Sequence, residues 1–418
     1  MNTSYLCSRI EARKDELFQM LSKLIQFNSE NFGSYGNEQP VAEYILDLCR
    51  ELGLETDLYS PMELEGFAEH PDYLPGRNLE NRPNVTARWK GEENEDALMI
   101  MGHTDTVPIG DRAGWKVDPL GGEILDGRIY GRGACDDKYA VAASLFLIKL
   151  LKEEGFVPKK NLLFTAYSDE EFGGSHGALA AVLKYPCRIY ANLDCRDAIW
   201  NCAAGGQVVR YTFEADHTLD SSEATARVLP VVLDELNSFK ENRYKELAAN
   251  RFFNDTNIPE TSVRYQEIGA SIEGTAPSVG TLVFTFYTDK TKDVIWEELA
   301  QLEEKIALRL KPLGYIGGKF VPTTRFFHYG YTEAETPAIQ DMLAAAKEAT
   351  GTELTVCGSC LSDLSVILKY GGGSAFSYGA GRDFSVEGGA HQPNEFITCE
   401  DFLKFTQNVA AYILRVLG

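Results

Sequence analysis

What the chain lacks narrows its possibilities first. No run approaches the ~20 apolar residues that cross a bilayer. The start, Met1 to Phe18, carries Arg9, Glu11, Arg13, Lys14, Asp15 and Glu16 instead of the apolar centre of a secretory signal. A cytoplasmic protein without a membrane partner is expected. Basic charge is also short: 40 Lys and Arg stand against 62 Asp and Glu, a net charge of −22. Nucleic acids and anionic lipid select basic surfaces, so neither is an expected partner. Paired cysteine motifs are missing. The nine cysteines are scattered, and the C-x-x-C at Cys357 and Cys360 has no second pair to complete a zinc ribbon. Reduced thiols are the natural reading, with a redox pair as the minor alternative. The third glycine of a dinucleotide loop is absent too. Gly131 and Gly133 are followed by Asp136, whose carboxylate would repel a pyrophosphate. Histidine is scarce, with six in 418 residues.

What is present is ordinary in amount and informative in order. Apolar content is 44% and charged content 24%, normal for a globular chain long enough for two or three domains. Helical spacing over Ile10–Phe27 and Val41–Leu52 precedes strands at Leu54–Tyr59, Asn84–Trp89 and Ala97–Met101. Pro61–Pro83 between them reads as a polar loop. Tyr139–Leu151 predicts a helix, Leu162–Ala166 a buried strand, Ala178–Leu183 a helix and Arg188–Leu193 a strand. This alternation predicts an α/β domain with a mostly parallel sheet. From about Gly206 the pattern changes. Strands at 208–215, 262–268, 279–288 and 319–327, with helices at 224–239 (broken at Pro230) and 295–310, predict a separate α+β unit. Helices at 337–350, 361–368 and 400–417 and a strand at 374–378 then return to the first pattern.

The chemistry gathers at strand ends and glycine-rich turns. Glu170 and Glu171 follow a buried strand, where two adjacent carboxylates raise each other's pKa unless something offsets their charge. A divalent cation would do so, one carboxylate binding it while the other acts as a base. His103 with Asp105, Asp136 with Asp137, Asp194 and His391 stand in similar places. Each has an ordinary reading alone: a core histidine, an N-cap for the helix from Tyr139, a strand-end turn, a surface loop. Together they supply the nitrogen and oxygen ligands of a two-metal site and a spare base.

At this point the chain resembles the di-zinc metallohydrolases that include aminoacylases, acetylornithine deacetylase, succinyl-diaminopimelate desuccinylase, glutamate carboxypeptidases and cytosolic dipeptidases. The matching text is Met101-Gly102-His103-Thr104-Asp105-Thr106-Val107-Pro108, Gly131 to Lys138, Asp169 to Gly174, and His391-Gln392-Pro393-Asn394-Glu395. The resemblance implies two zinc ions per chain, with Mn2+ or Co2+ able to replace them. His103 and Asp194 would bind one, Glu171 and His391 the other, and Asp136 both. Asp105 would clamp the His103 ring, Glu170 would be the general base, and the Asp136–Asp137 peptide would be cis. It implies a zinc-peptidase-like catalytic domain of 1–206 and 328–418, and an inserted lid of 207–327, often a dimerisation domain. The reaction implied is hydrolysis of an amide in an N-acyl amino acid or dipeptide.

The chain also departs from that pattern. His217 would take the place of the lid histidine that helps hold the tetrahedral intermediate, and an exposed turn histidine is the equal alternative. The usual lid asparagine and arginine are missing, so Arg264, Arg325 or Arg382 is left to bind a substrate carboxylate. Tyr139 follows Lys138 where glycine is commoner. Gly379-Ala380-Gly381 resembles the substrate loop, with alanine for proline, and Gly379 and Gly381 would contact substrate. Two other readings stay open: an amidohydrolase of a ureido-type amide, and a metal-binding protein without catalysis.

Overall fold

The apolar run Leu98–Met101 is fully buried, as a strand covered on both faces requires. It forms the middle of a large sheet. The computed structural model describes residues 1–418 except 216–220, 255, 271–277 and 314. In chain order, the strands that matter for the site are β1 (Glu55–Tyr59), β2 (Asn84–Trp89), β3 (Glu93–His103), β4 (Lys160–Tyr167), β5 (Ile189–Asn192), β6 (Ile199–Ala203) and β7 (Ser374–Tyr378). They lie side by side as β1-β2-β4-β3-β5-β7-β6. β4, β3, β5 and β7 run parallel. β1 and β2 add antiparallel on one side and β6 on the other. The predicted mostly parallel sheet is therefore present, with antiparallel margins.

Register then positions the chemistry. His103 ends β3 opposite Tyr167 at the end of β4. Asp169–Glu171 and Asp194 follow the carboxyl ends of β4 and β5, where open α/β sheets place their ligand groups. The helix Lys138–Glu153 begins just after the Asp136 turn. Ala140, Ala142, Ala143, Phe146 and Leu147 are all buried in it, so small residues let it pack closely on the sheet. Helices Lys14–Ile25 and Cys399–Leu417 share its core. Spacing predicts one helix from Ile10 to Phe27. The chain instead forms Thr3–Ala12 and Lys14–Ile25, because Arg13 leaves helical backbone geometry (φ −118°, ψ 18°).

The described residues divide into two compact units. One comprises Met1–Asn201, Tyr331–Val356 and Val366–Gly418; the other comprises Cys202–Gly330 and Cys357–Ser365. The second unit has a four-stranded antiparallel sheet in the order Val263–Ala270, Ser278–Thr288, Gly205–Ala215, Tyr315–Pro322. Helices Ser221–Ala248 and Lys292–Leu310 cover it, with Val232, Leu236, Ile295 and Leu299 against Val209, Leu282, Phe284 and Phe286. The expected break at Pro230 is absent, and the helix runs through it. Val228, Val232 and Leu236 are buried, and that burial outweighs the backbone hydrogen bond a proline removes. Cys357–Ser365 joins this unit for a visible reason. Cys360 and Leu361 pack with Phe253 and Tyr287, and Ala204 N–H donates to the Ser359 carbonyl at 3.1 Å. Among the described residues no helix is long and apolar enough to cross a membrane.

Candidate metal centre

Everything in the centre belongs to the first unit. His103 is fully buried at the end of β3. Its Nδ1 lies 2.9 Å from the Asp105 carbonyl oxygen and 3.7 Å from Asp105 Oδ1. The nearer partner on the ring is thus the carbonyl. The Asp105 carboxylate turns instead to the glutamate pair, accepting the N–H groups of Glu170 at 3.1 Å and Glu171 at 3.0 Å.

Asp136 sits in the middle. Oδ1 is 3.1 Å from His103 Nε2, and Oδ2 is 3.2 Å from His391 Nε2. The same His391 nitrogen is 3.1 Å from Glu171 Oε2. Asp194 completes a group with His103 and Asp136, whose ligand atoms lie within 4.8 Å of one another; Asp136, Glu171 and His391 form a second such group. The loop that delivers Asp136 needs its glycines. Gly133 has φ +86°, and a Cβ there would come within 2.9 Å of the Thr106 and Lys138 side chains. The Asp136–Asp137 peptide is cis.

The electrostatics ask for positive charge. Burial alone would discharge His103, yet its hydrogen bond to Asp136 and the charges of Glu170, Asp105 and Asp137 push its pKa well above the ordinary value. Burial likewise opposes charge on His391, but Glu171 and Asp136 push its pKa up to about 11. Burial favours neutral Asp136, and His103 and His391 overcome it to hold the carboxyl below the usual range. Imidazole nitrogens and carboxylate oxygens converging on two points, with protons drawn in to balance them, are donors of the kind that could hold a pair of divalent cations.

A layer of buried charge lies behind these groups, and sequence reasoning missed it. Arg82 is completely buried. It pairs with Glu38 at 2.7 Å and Asp169 at 2.7 Å, and lies 3.9 Å from Asp105. His176 Nδ1 is 2.6 Å from Asp169 Oδ2. Its Nε2 accepts the Leu74 N–H at 3.1 Å, which fixes the proton on Nδ1. Asn31 Nδ2 donates to Asp105 Oδ2 at 2.8 Å. Arg77 reaches Asp169 Oδ1 at 2.7 Å from inside the polar loop 61–83. No periodicity marks these residues. The only signal is that Asp169, beside two glutamates, demanded a counter-charge. Burial would raise the Asp169 pKa, but His176, Arg82 and Arg77 lower it.

The remaining expected residues lie as follows. Gly381 N–H donates to the Cys195 carbonyl at 2.8 Å, and Ala380 N–H to the Tyr139 hydroxyl at 3.1 Å. The Gly379–Gly381 loop is thereby held next to the segment carrying Asp194. Arg382 lies over the Phe396 ring, 4.0 Å from its centroid. Arg264 and Arg325 belong to the second unit. Arg325 is buried there, 3.8 Å from Asp363. His217 lies outside the described residues.

Known proteins resemble this chain in sequence and in fold. Over 189 residues the chain is 33% identical to an uncharacterized metallohydrolase of Methanococcus maripaludis, covering 43% of this chain and 42% of that protein. It is 30% identical over 293 residues to the Beta-Ala-Xaa dipeptidase of Lactobacillus delbrueckii subsp. lactis, covering 66% and 58%. The chain therefore spans well under two thirds of each of these relatives in the matched region. The structure of the di-peptidase Dug1p from Saccharomyces cerevisiae superposes with a TM-score of 0.73 over 100% of this chain and 99% of that one at 15% identity, a likeness of fold. The model of Peptidase family M20/M25/M40 matches residues 99–415, from the strand that carries His103 to the closing helix, and the chain belongs to that family.

Proposed function

We propose that this chain hydrolyses an amide bond in a small N-acyl amino acid or dipeptide with the help of two divalent cations. One observation carries the reading: two ligand groups share Asp136, and Glu170 is fixed beside them by its N–H on Asp105. In this reading His103, Asp136 and Asp194 hold one cation, and Asp136, Glu171 and His391 the other. Zinc suits this donor set, and Mn2+ or Co2+ could replace it. Bound there, the cations would acidify a water and polarise the scissile carbonyl. Glu170 takes the proton of the attacking water and passes it to the leaving amine. Asp105 keeps both glutamates in place through their N–H groups. Gly379 and Gly381 let the loop pack closely on the Cys195 carbonyl beside Asp194, which leaves its backbone near the site for contact with a substrate chain. The name of one relative, a Beta-Ala-Xaa dipeptidase, supports a small amide substrate.

The test is Glu170→Ala, assayed on a panel of dipeptides, N-acyl amino acids and ureido acids. The variant is expected to keep its bound zinc while turnover falls about 10²–10⁴-fold, the usual worth of a positioned general base. Full activity in the variant would overturn the assignment. Turnover confined to ureido acids would shift the substrate class and leave the machinery as described.

A further inference from the structure

The stretch that carries both glutamates is bent in an unusual way. Asp169, Phe172 and Ser175 have φ of +59°, +60° and +55°. A left-handed backbone at a non-glycine residue is strained and persists only where the surroundings over-determine it. The turn closes on itself through Ser175 N–H, which donates to the Asp169 carbonyl at 2.7 Å. Other described contacts reach it from outside.

The Asp105 carboxylate accepts the Glu170 and Glu171 N–H groups, and Arg77 holds the carbonyl side of the turn. Its guanidinium side chain is 6% exposed. Nη1 donates to Asp169 Oδ1 at 2.7 Å and to the Glu171 carbonyl at 3.3 Å, and Nη2 donates to the Phe172 carbonyl. One planar fork therefore engages the residues on both sides of Glu170. Arg82 and His176 bind only the Asp169 side chain here, and Asn31 Nδ2 spans the same two residues with longer bonds, 3.4 Å to Asp169 Oδ1 and 3.3 Å to the Glu171 carbonyl. The glycine at 174 makes room for the clamp. A Cβ on it would lie 2.1 Å from Asp169 Oδ2 and 2.9 Å from Arg77 Nη1. By contrast, no hydrogen bond or ion pair described for Arg77 reaches His103, Asp136 or Asp194.

We infer that Arg77 is a positioning residue: it holds the left-handed turn 169–175 and so sets Glu170 and Glu171 without touching substrate or cation. The consequence for cation binding rests on the proposed function. The effect on the turn does not. Lysine could supply the charge but not the fork, because its ammonium is a single point donor.

The experiment compares wild type with Arg77→Ala and Arg77→Lys. Hydrogen exchange on the metal-free proteins is expected to speed up about tenfold or more at the Ser175 amide in Arg77→Ala, while the amides of the helix Lys138–Glu153 stay protected. Millimolar guanidinium should slow the Ser175 amide again. In zinc titrations against a chelator, one of two binding events should weaken about 10–100-fold, the usual effect of losing a partner that orients a ligand. The other should stay within about threefold. Arg77→Lys should fall between. Unchanged exchange at Ser175 would overturn the inference. So would faster exchange spread equally through the helix Lys138–Glu153, which would mean general destabilisation. A wild-type protein that takes up a single zinc would overturn the two-cation reading instead, and the Ser175 amide would still decide the role of Arg77.

Discussion

At the proposed site, His391 is the residue where a proton and a cation would compete most openly. Its pKa is pushed up to about 11, against an ordinary imidazole near 6.5. A raised folded-state value means that the protonated ring stabilises the metal-free protein. That contribution is fully present below about pH 6.5 and is lost as pH rises toward 11. His103 is shifted in the same direction. A cation ligand must instead be neutral imidazole, so loading the site expels protons. Calorimetric titration of the metal-free protein with zinc at about pH 7.5, in buffers of different ionisation enthalpy, is expected to show release of about two protons. An apparent heat independent of the buffer would count against both histidines as ligands. The candidate ligands stand out in sequence because each lies where an apolar run stops and glycines begin. Arg77, Arg82, Asn31 and His176 do not, since an arginine in a polar loop looks the same in sequence whether it faces water or a buried carboxylate.

Whole elements were read best where one force decided them. Asn84–Trp89 and Pro337–Thr350 have the predicted bounds, the first from its β-branched and aromatic content and the second from its proline start. Thr336 stands at the cap position of the second, but its hydroxyl donates to the Glu333 carbonyl at 2.8 Å and caps nothing. Where tertiary burial competed with local rules the reading failed, as at Pro230. The start of the helix Lys138–Glu153 is a third kind of case. Tyr139 stands where glycine is commoner in the resembling family, and Ala380 where proline is. These two departures meet in one hydrogen bond, from an Ala380 N–H that proline would not have. The Tyr139 hydroxyl also donates to the Leu193 carbonyl at 2.7 Å, so it joins the helix, the end of β5 and the glycine-rich loop. Tyr139→Phe leaves a buried N–H and a carbonyl without that partner. It is expected to cost about 1–3 kcal/mol, read as a lower urea midpoint at unchanged slope. An unchanged midpoint would mean that the hydroxyl contributes nothing net to the fold.

At the scale of the molecule, the two largest apolar cores among the described residues differ in kind. The first lies around the parallel strands and the helix Lys138–Glu153; the second lies within the antiparallel sheet and its two helices. The change of pattern near Gly206 lies close to Cys202, where the second unit begins. The membership of Cys357–Ser365 was not legible in the sequence, because its cause is packing of Cys360 and Leu361 against Phe253 and Tyr287, residues about a hundred positions away or nearer to it. All the candidate ligands belong to the first unit, so cations should stabilise that unit by mass action and leave the second alone. Zinc at a hundredfold excess over its dissociation constant would add about 2.7 kcal/mol per site. Differential scanning calorimetry with and without a chelator is therefore expected to give two transitions, of which only one moves to lower temperature when metal is removed. Asp136→Asn, which weakens a ligand common to both groups, should place that transition near the chelated wild type even with zinc present. If both transitions moved together, the units would be unfolding as one, and cation binding could not be assigned to the first unit by this route. A chelator that moved neither would remove the support for a cation pair at Asp136.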